Sequence, residues 1–196
     1  MVHETIRRLL NRPIKDIYGR QIGHIVSVDV SKEGEIQQIA VEHHNGSFGI
    51  YDKQRLVFAG EDVMMIPVWK SDAEELIRRI RDVERRMAAL DQLSRQGRIS
   101  QIAYERLRRE YDSELQKLQE IKSKLVEELR QRLSLMEHQE YELEKAIAIF
   151  KVRRIAGEIE EESYHIQIDS LQAGLQRVRS EINDLRSILK ELGVET

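Results

Sequence analysis

The sequence has no cysteine among its 196 residues, so disulfide frameworks, thiolate metal sites and cysteine nucleophiles are excluded. It has only two prolines, Pro13 and Pro67, and six of its ten glycines fall within the first 60 residues. Everything after Pro67 is therefore free of the strongest helix breaker. Aromatic residues make up 5% and charged residues 34%, which leaves too few large apolar side chains for one compact globule of this length. No apolar run approaches the ~20 residues of a membrane-spanning helix. The N-terminal stretch MVHETIRRLLNRP has no uncharged core of the kind a secretory signal needs. These absences predict a cytoplasmic protein of two unlike parts, with the change near residue 70.

The first part reads as a small β-domain over residues 11–70, after a short basic amphipathic lead-in at 1–10. Short alternating apolar runs at 13–17, 22–30, 36–41, 48–51, 56–58 and 63–68 predict six strands. Turn residues separate them: Tyr18-Gly19-Arg20, Lys32-Glu33-Gly34-Glu35, Asn45-Gly46, and Ala59-Gly60-Glu61-Asp62. So few residues with such regular turns suggest a barrel, because closure removes exposed sheet edges. The strand near Phe48, Ile50 and Tyr51 is the expected edge contact with a neighbouring copy. In the lead-in, Ile6, Leu9 and Leu10 beside Arg7 and Arg8 form a candidate membrane-surface turn.

The second part reads as three helices over 71–192, at about 71–96, 100–156 and 160–192, followed by a tail at 193–196. Ser71 and Glu74 fit a capping box at the start. Ala73, Leu76, Ile80, Val83, Met87 and Leu90 keep a 3-4 spacing, and so do Tyr164, Ile168, Leu171, Leu175, Val178, Ile182, Leu185, Leu189 and Leu192. Such spacing makes a coiled-coil seam. The middle helix carries more than one apolar stripe, which implies more than one neighbour. At 1.5 Å per residue it would be roughly 85 Å long. Its stripe around Leu107, Ile121, Leu133 and Ile147 is left over as a candidate dimer surface.

An internal repeat explains the three helices. Gly97, Ile99 and Tyr104 recur 60 residues later as Gly157, Ile159 and Tyr164. Leu115, Leu118 and Leu125 recur as Leu175, Val178 and Leu185, and Met87 and Leu90 as Ile147 and Phe150. Each copy is a helical hairpin turning at its glycine, which takes the left-handed conformation that ends a helix. The predicted outcome is an antiparallel rod with a hairpin tip at each end.

Charge is polarised along the chain. Residues 78–109 hold ten arginines against four acidic side chains, while residues 110–196 hold 13 basic and 19 acidic ones. Arg78, Arg79, Arg81, Arg85, Arg86, Arg95, Arg98, Arg106, Arg108 and Arg109 share the first hairpin. They suit DNA phosphates, anionic lipid, the acidic segment of a neighbouring copy, or a merely solvated face. No phosphate-binding G-x-x-x-x-G-K-[ST] loop occurs. The adjacent His43 and His44 point to opposite faces of a strand, which does not build a metal site. His138 and His165 read as solvated, and Glu158–Glu162 as favoured at a helix start. Scattered helical carboxylates make no catalytic pair, so neither an enzyme nor a cofactor is expected.

The opening Asp16-Ile17-Tyr18-Gly19-Arg20-Gln21-Ile22-Gly23 resembles the first turn of PRC-barrel domains. A PRC-type barrel ending in Ile66-Pro67-Val68-Trp69-Lys70 and followed by this charged double hairpin resembles the CdvA family of archaeal cell-division proteins. The pieces Ser113-Glu114-Leu115-Gln116-Lys117-Leu118 and Ile155-Ala156-Gly157-Glu158 carry the same resemblance. The resemblance spans roughly residues 11–192. It implies an α+β fold, a PRC-type β-barrel on an antiparallel three-helix coiled coil. It also implies a non-enzymatic scaffold that forms homodimers and filaments, marks mid-cell at the inner face of the membrane and recruits ESCRT-III-like CdvB. That family recruits CdvB through a short C-terminal peptide after a linker. Here the last heptad is followed closely by Thr196, so no residue is carried over as a CdvB contact. The arginine hairpin supports a second expectation, a nucleoid-associated architectural protein that binds DNA.

Overall fold

The computed structural model describes residues 2–59 and 62–194, with side chains from Ile6 onward. The expected turn at 59–62 and the tail at 193–196 therefore lie partly outside the described residues. The chain divides into two compact units, Met1–Ser71 with Leu143–Glu181, and Asp72–Glu142 with Ile182–Thr196.

The first unit opens with helix α1 (Val2–Leu9), then six strands: β1 (Pro13–Asp16), β2 (Gln21–Val30), β3 (Ile36–His43), β4 (Phe48–Asp52), β5 (Leu56–Ala59) and β6 (Asp62–Met65). They form one sheet in the order β4-β3-β2-β1-β6-β5. All neighbours run antiparallel except β1 and β6, which are parallel. The sheet is a curled half-barrel. The expected closure does not occur, because the hydrogen-bonded order ends at β4 on one side and β5 on the other.

Alternation, reset by a register shift between Ile25 and Ser27, puts Ile14, Ile25, Val28, Ile39, Val41, Leu56, Val63 and Met65 on the concave face, where they form the core. Leu9 of α1 completes it at 2% exposure, with Ile6 packed alongside. This corrects the membrane reading of the lead-in. Leu9 and Ile6 cover the sheet's own core, and Asn11, at φ 62°, ends the helix so that the Asn11 N–H donates to the carbonyl of Ile25 at 2.8 Å.

Helix α2 begins at Val68 and runs to Arg95, three residues earlier than the capping-box reading predicts. Ser71 lies inside the helix, its N–H bonded to the carbonyl of Pro67 at 3.1 Å. Pro67 supplies the start, since its fixed φ suits a first turn and it needs no donor. Val68 and Trp69 thus open a helix and do not extend the last strand.

Helices α3 (Gln101–Ile155) and α4 (Glu161–Glu191) match the expected spans within two residues, and each contributes to both units. All three long helices end alike. Gly97, Gly157 and Gly193 have φ of 64°, 72° and 75°. Their N–H groups bond to the carbonyls of Ser94, Arg154 and Lys190, and the following N–H groups reach back to Leu93, Arg153 and Leu189. This paired pattern satisfies helix-end carbonyls and needs a left-handed residue at the glycine.

In the second unit, Leu76, Ile77 and Val83 of α2 are buried, as are Leu125, Leu129, Leu133 and Met136 of α3 and Ile182, Leu185, Leu189 and Leu192 of the α4 end. Arg81 bonds Glu191 at 3.0 Å and Arg186 bonds Glu137 at 2.7 Å, tying the end of α4 to both other helices. This three-helix core corrects the candidate dimer stripe. Leu133 is buried within its own chain because the end of α4 adds a second neighbour to α3. Ile147, in the other unit, is buried against Tyr164 and Ile168. Of the four stripe residues, Ile121 is exposed and Leu107 half-buried.

Candidate functional site

The candidate residues of the sequence lie on helix faces, at the hairpin tips and at a sheet edge. The arginine hairpin spans the end of α2 and the start of α3. Helical spacing turns many of its guanidinium groups toward acidic neighbours three or four residues away. Arg78 pairs with Glu75, Arg85 with Asp82, and Arg106 with Glu110, while Arg81 reaches Glu191. Arg108 joins both helices of the hairpin, to Asp91 at 3.0 Å and Asp112 at 3.2 Å. Desolvation works against the charge on Arg108, but Asp112 and Asp91 together outweigh it, and its pKa is raised. Arg109 donates to the carbonyl of Glu105. Among the described residues, Arg79, Arg86, Arg95 and Arg98 are exposed and have no ion-pair partner. The ten candidates thus divide into intrachain pairs and a smaller outward set. Spacing singles out Arg98, which has no acidic residue three or four positions away, but not Arg79, Arg86 or Arg95, which follow Glu75, Asp82 and Asp91 by four.

The hairpin tips hold the residues that the repeat singles out. Ile99 and Ile159 are half-buried beneath the turns. Tyr104 donates its hydroxyl to Asp91 at 3.0 Å, in the same small network as Arg108. Tyr164 is buried against Ile147 and Ile168, with the Arg154 guanidinium 4.7 Å above its ring. The two tyrosines hold their turns by different chemistry, one by a hydrogen bond and one by packing.

At the β4 edge, Phe48 and Ile50 are 68% and 72% exposed. Tyr51 faces the other way, as alternation along a strand dictates. Its hydroxyl lies 2.7 Å from His43 Nε2, the Arg55 guanidinium stands over its ring, and it packs on the core. Of the three residues expected at the edge, Phe48 and Ile50 are thus exposed and Tyr51 is engaged within the sheet. His44 lies 3.2 Å from the Gln21 carbonyl, edge-on to His24. Among the described residues, no three His, Asp or Glu side chains are gathered in a metal-holding group. No described helix is long and apolar enough to cross a membrane.

One constellation escapes sequence reading. Within the first unit, the β1–β2 turn meets α4. Asp16 accepts the N–H groups of Tyr18 at 3.0 Å and Arg20 at 2.8 Å, which fixes the turn and aims Arg20 outward from the sheet. Arg20 donates to Glu181, whose side chain is fully buried. Removing one member of a buried charged pair is costly because the remaining buried charge loses that bond. We expect Arg20→Ala to destabilise the first unit by about 2 kcal/mol, the usual figure reduced because Arg20 is partly solvated. Arg20→Met with Glu181→Met should recover most of that loss. Chemical denaturation followed at the sheet's signals checks both. The one sequence signal was Glu181 itself, a charge placed inside the 178–182–185 apolar run.

Against this geometry, the comparisons with known proteins agree in extent. A family model described as a CdvA-like coiled-coil domain matches residues 68–194, which is α2 through α4. The chain is also similar to Cell division protein A of Sulfolobus acidocaldarius. The two are 28% identical over 189 residues, which cover 96% of this chain and 79% of that protein.

Proposed function

The chain belongs to the CdvA-like coiled-coil family, and on that premise we propose that it is a non-enzymatic scaffold of a cell-division machinery. It assembles with copies of itself, marks mid-cell on the cytoplasmic face of the membrane, and recruits ESCRT-III-like CdvB there. The similarity to a cell division protein over nearly the whole chain carries the cell-division role. The architecture supports the scaffold: a small sheet, PRC-type by its first turn, with two edges, and long helices whose exposed faces carry charge and isolated apolar side chains. Depletion of the protein from its host is expected to yield enlarged cells with several genome equivalents, read by flow cytometry. A normal size and DNA distribution would overturn the reading.

A second reading, DNA binding, is favoured by one observation, the outward set Arg79, Arg86, Arg95 and Arg98. Each phosphate contact contributes about 0.9 to the slope of log affinity against log salt. Arg86→Glu with Arg98→Glu is expected to weaken duplex binding and lower that slope by about 2, without loss of helicity by circular dichroism. These two residues make the test clean, because reversal of Arg108 would also break its bonds to Asp91 and Asp112. Wild-type protein with no DNA affinity at low salt would remove this reading and leave the scaffold.

A further inference from the structure

The two hairpin tips share one backbone pattern and carry opposite chemistry. Both close at a left-handed glycine, Gly97 and Gly157, through the same pair of backbone bonds. Residues 92–106 of the first tip hold Arg95, Arg98 and Arg106 against Glu105, a balance of +2. Sixty positions on, residues 152–166 of the second tip hold Arg153 and Arg154 against Glu158, Glu160, Glu161 and Glu162, a balance of −2. Three repeat positions stand out. Arg95, Arg98 and Ile102 of the first tip become Ile155, Glu158 and Glu162 of the second, all exposed. Ile155 at 87% and Ile102 at 82% are the most exposed large apolar side chains among the described residues.

Helix dipoles account for part of this pattern, since acids suit the start of α4 and Arg95 the end of α2. They do not account for the isoleucines. The start of α3 offers the same dipole as the start of α4, yet its first turn holds no acid and exposes Ile102. The end of α3 exposes Ile155 where the end of α2 has Arg95. A local two-fold relation between a first tip and a second tip reconciles all three positions. It sets the end of each helix against the start of another. Arg95 then meets Glu162 and Ile102 meets Ile155, with Arg98 and Glu158 between them near the axis. Two first tips brought together in this way would set Arg98 against Arg98 and Arg95 against Ile102. Two second tips would set Glu158 against Glu158 and Ile155 against Glu162. Only the unlike pair satisfies every position. Glu158 already accepts from Arg153 at 3.3 Å, and a carboxylate has room for a further donor.

We propose that the first hairpin tip of one copy of the chain docks on the second hairpin tip of another copy. This rests on the scaffold reading and supplies one of its contacts. Because the two surfaces differ, a joined pair still presents one free tip of each kind, and the contact can repeat along a filament. Exposed ion pairs are individually weak. The contact gains strength where it repeats or where other contacts already hold the copies together.

Sedimentation velocity on the full-length chain, cleared of nucleic acid, tests this. Arg98→Glu alone and Glu158→Arg alone each place like charges in the contact. Each should raise the concentration needed for assembly about tenfold, with helicity kept by circular dichroism. An equal mixture of the two variants should assemble like the wild type, because each altered tip then finds its complement on the other protein. The absence of native cysteine adds a second readout. Ile102→Cys and Ile155→Cys proteins, oxidised with copper phenanthroline, should form disulfide-linked dimers when mixed and not when kept apart. Strong linking within either cysteine variant alone would overturn the unlike pairing. Charge variants that assemble like the wild type, or helical ones that fail and do not recover on mixing, would overturn the contact and leave the scaffold reading intact. Wild-type protein that stays a single chain at every concentration would overturn both.

Discussion

Replacing Gly23 with alanine is expected to unfold the sheet while the long helices stay formed. A Cβ at this position would sit 2.1 Å from the carbonyl oxygen of Glu42 and 2.9 Å from its carbon. Both atoms belong to the backbone of β3, and Gly23 pairs with His43 in the β2–β3 ladder. No side-chain rotation relieves the clash, so the two central strands must separate. We expect a loss of about 4 kcal/mol, at the extreme end for one substitution. Hydrogen exchange checks it: amides of β2 and β3 lose protection and those of α3 keep it. Gly34→Ala is the contrast. Its φ is 91° with nothing within 4 Å, so only backbone strain opposes it, about 1 kcal/mol. Native protection in Gly23→Ala would show that the strands are not so closely apposed.

Leu185→Ala is expected to be nearly as severe. The side chain is completely buried where α4 joins α2 and α3 in the second unit. Truncating a buried leucine loses its transfer free energy and leaves a cavity, about 3–4 kcal/mol together. The midpoint of urea unfolding should fall with little change in slope. Leu135→Ala, at a side chain 52% exposed, should change stability by no more than about 0.5 kcal/mol. Equal effects at the two sites would contradict the three-helix core.

The helices were legible because their signals are local and repeated. A 3-4 spacing of apolar residues, with a glycine at each stop, places α2, α3 and α4 within a few residues. The six strands were legible for the same reason, since turn glycines and alternation fall where the chain reverses. What was not legible depends on contacts distant in sequence. Ile77 lies off the expected α2 seam and is buried, because α2 has a second neighbour in the end of α4. The same neighbour consumes Leu133. Leu9 looks like a membrane anchor in a ten-residue window and is core once the sheet curls around it. That the sheet ends at β4 and β5 without closing was not legible, because pairing order, unlike strand existence, is not written in periodicity. For the candidate surfaces, arginine positions were readable, but which of them are engaged depends on side-chain reach across the hairpin. Arg108 and Arg86 are indistinguishable in the sequence. The Arg20–Glu181 pair joins residues 161 positions apart, and only the odd placement of Glu181 hinted at it.

The central claim, that this chain is an assembling scaffold, is tested most directly by sedimentation velocity on the purified protein. Concentrations from about 1 µM to about 1 mM cover association free energies of roughly −8 to −4 kcal/mol. The account predicts a mass that rises with concentration beyond a dimer, with elongated assemblies visible by electron microscopy at the upper end. A single species of one chain's mass across the whole range would contradict it.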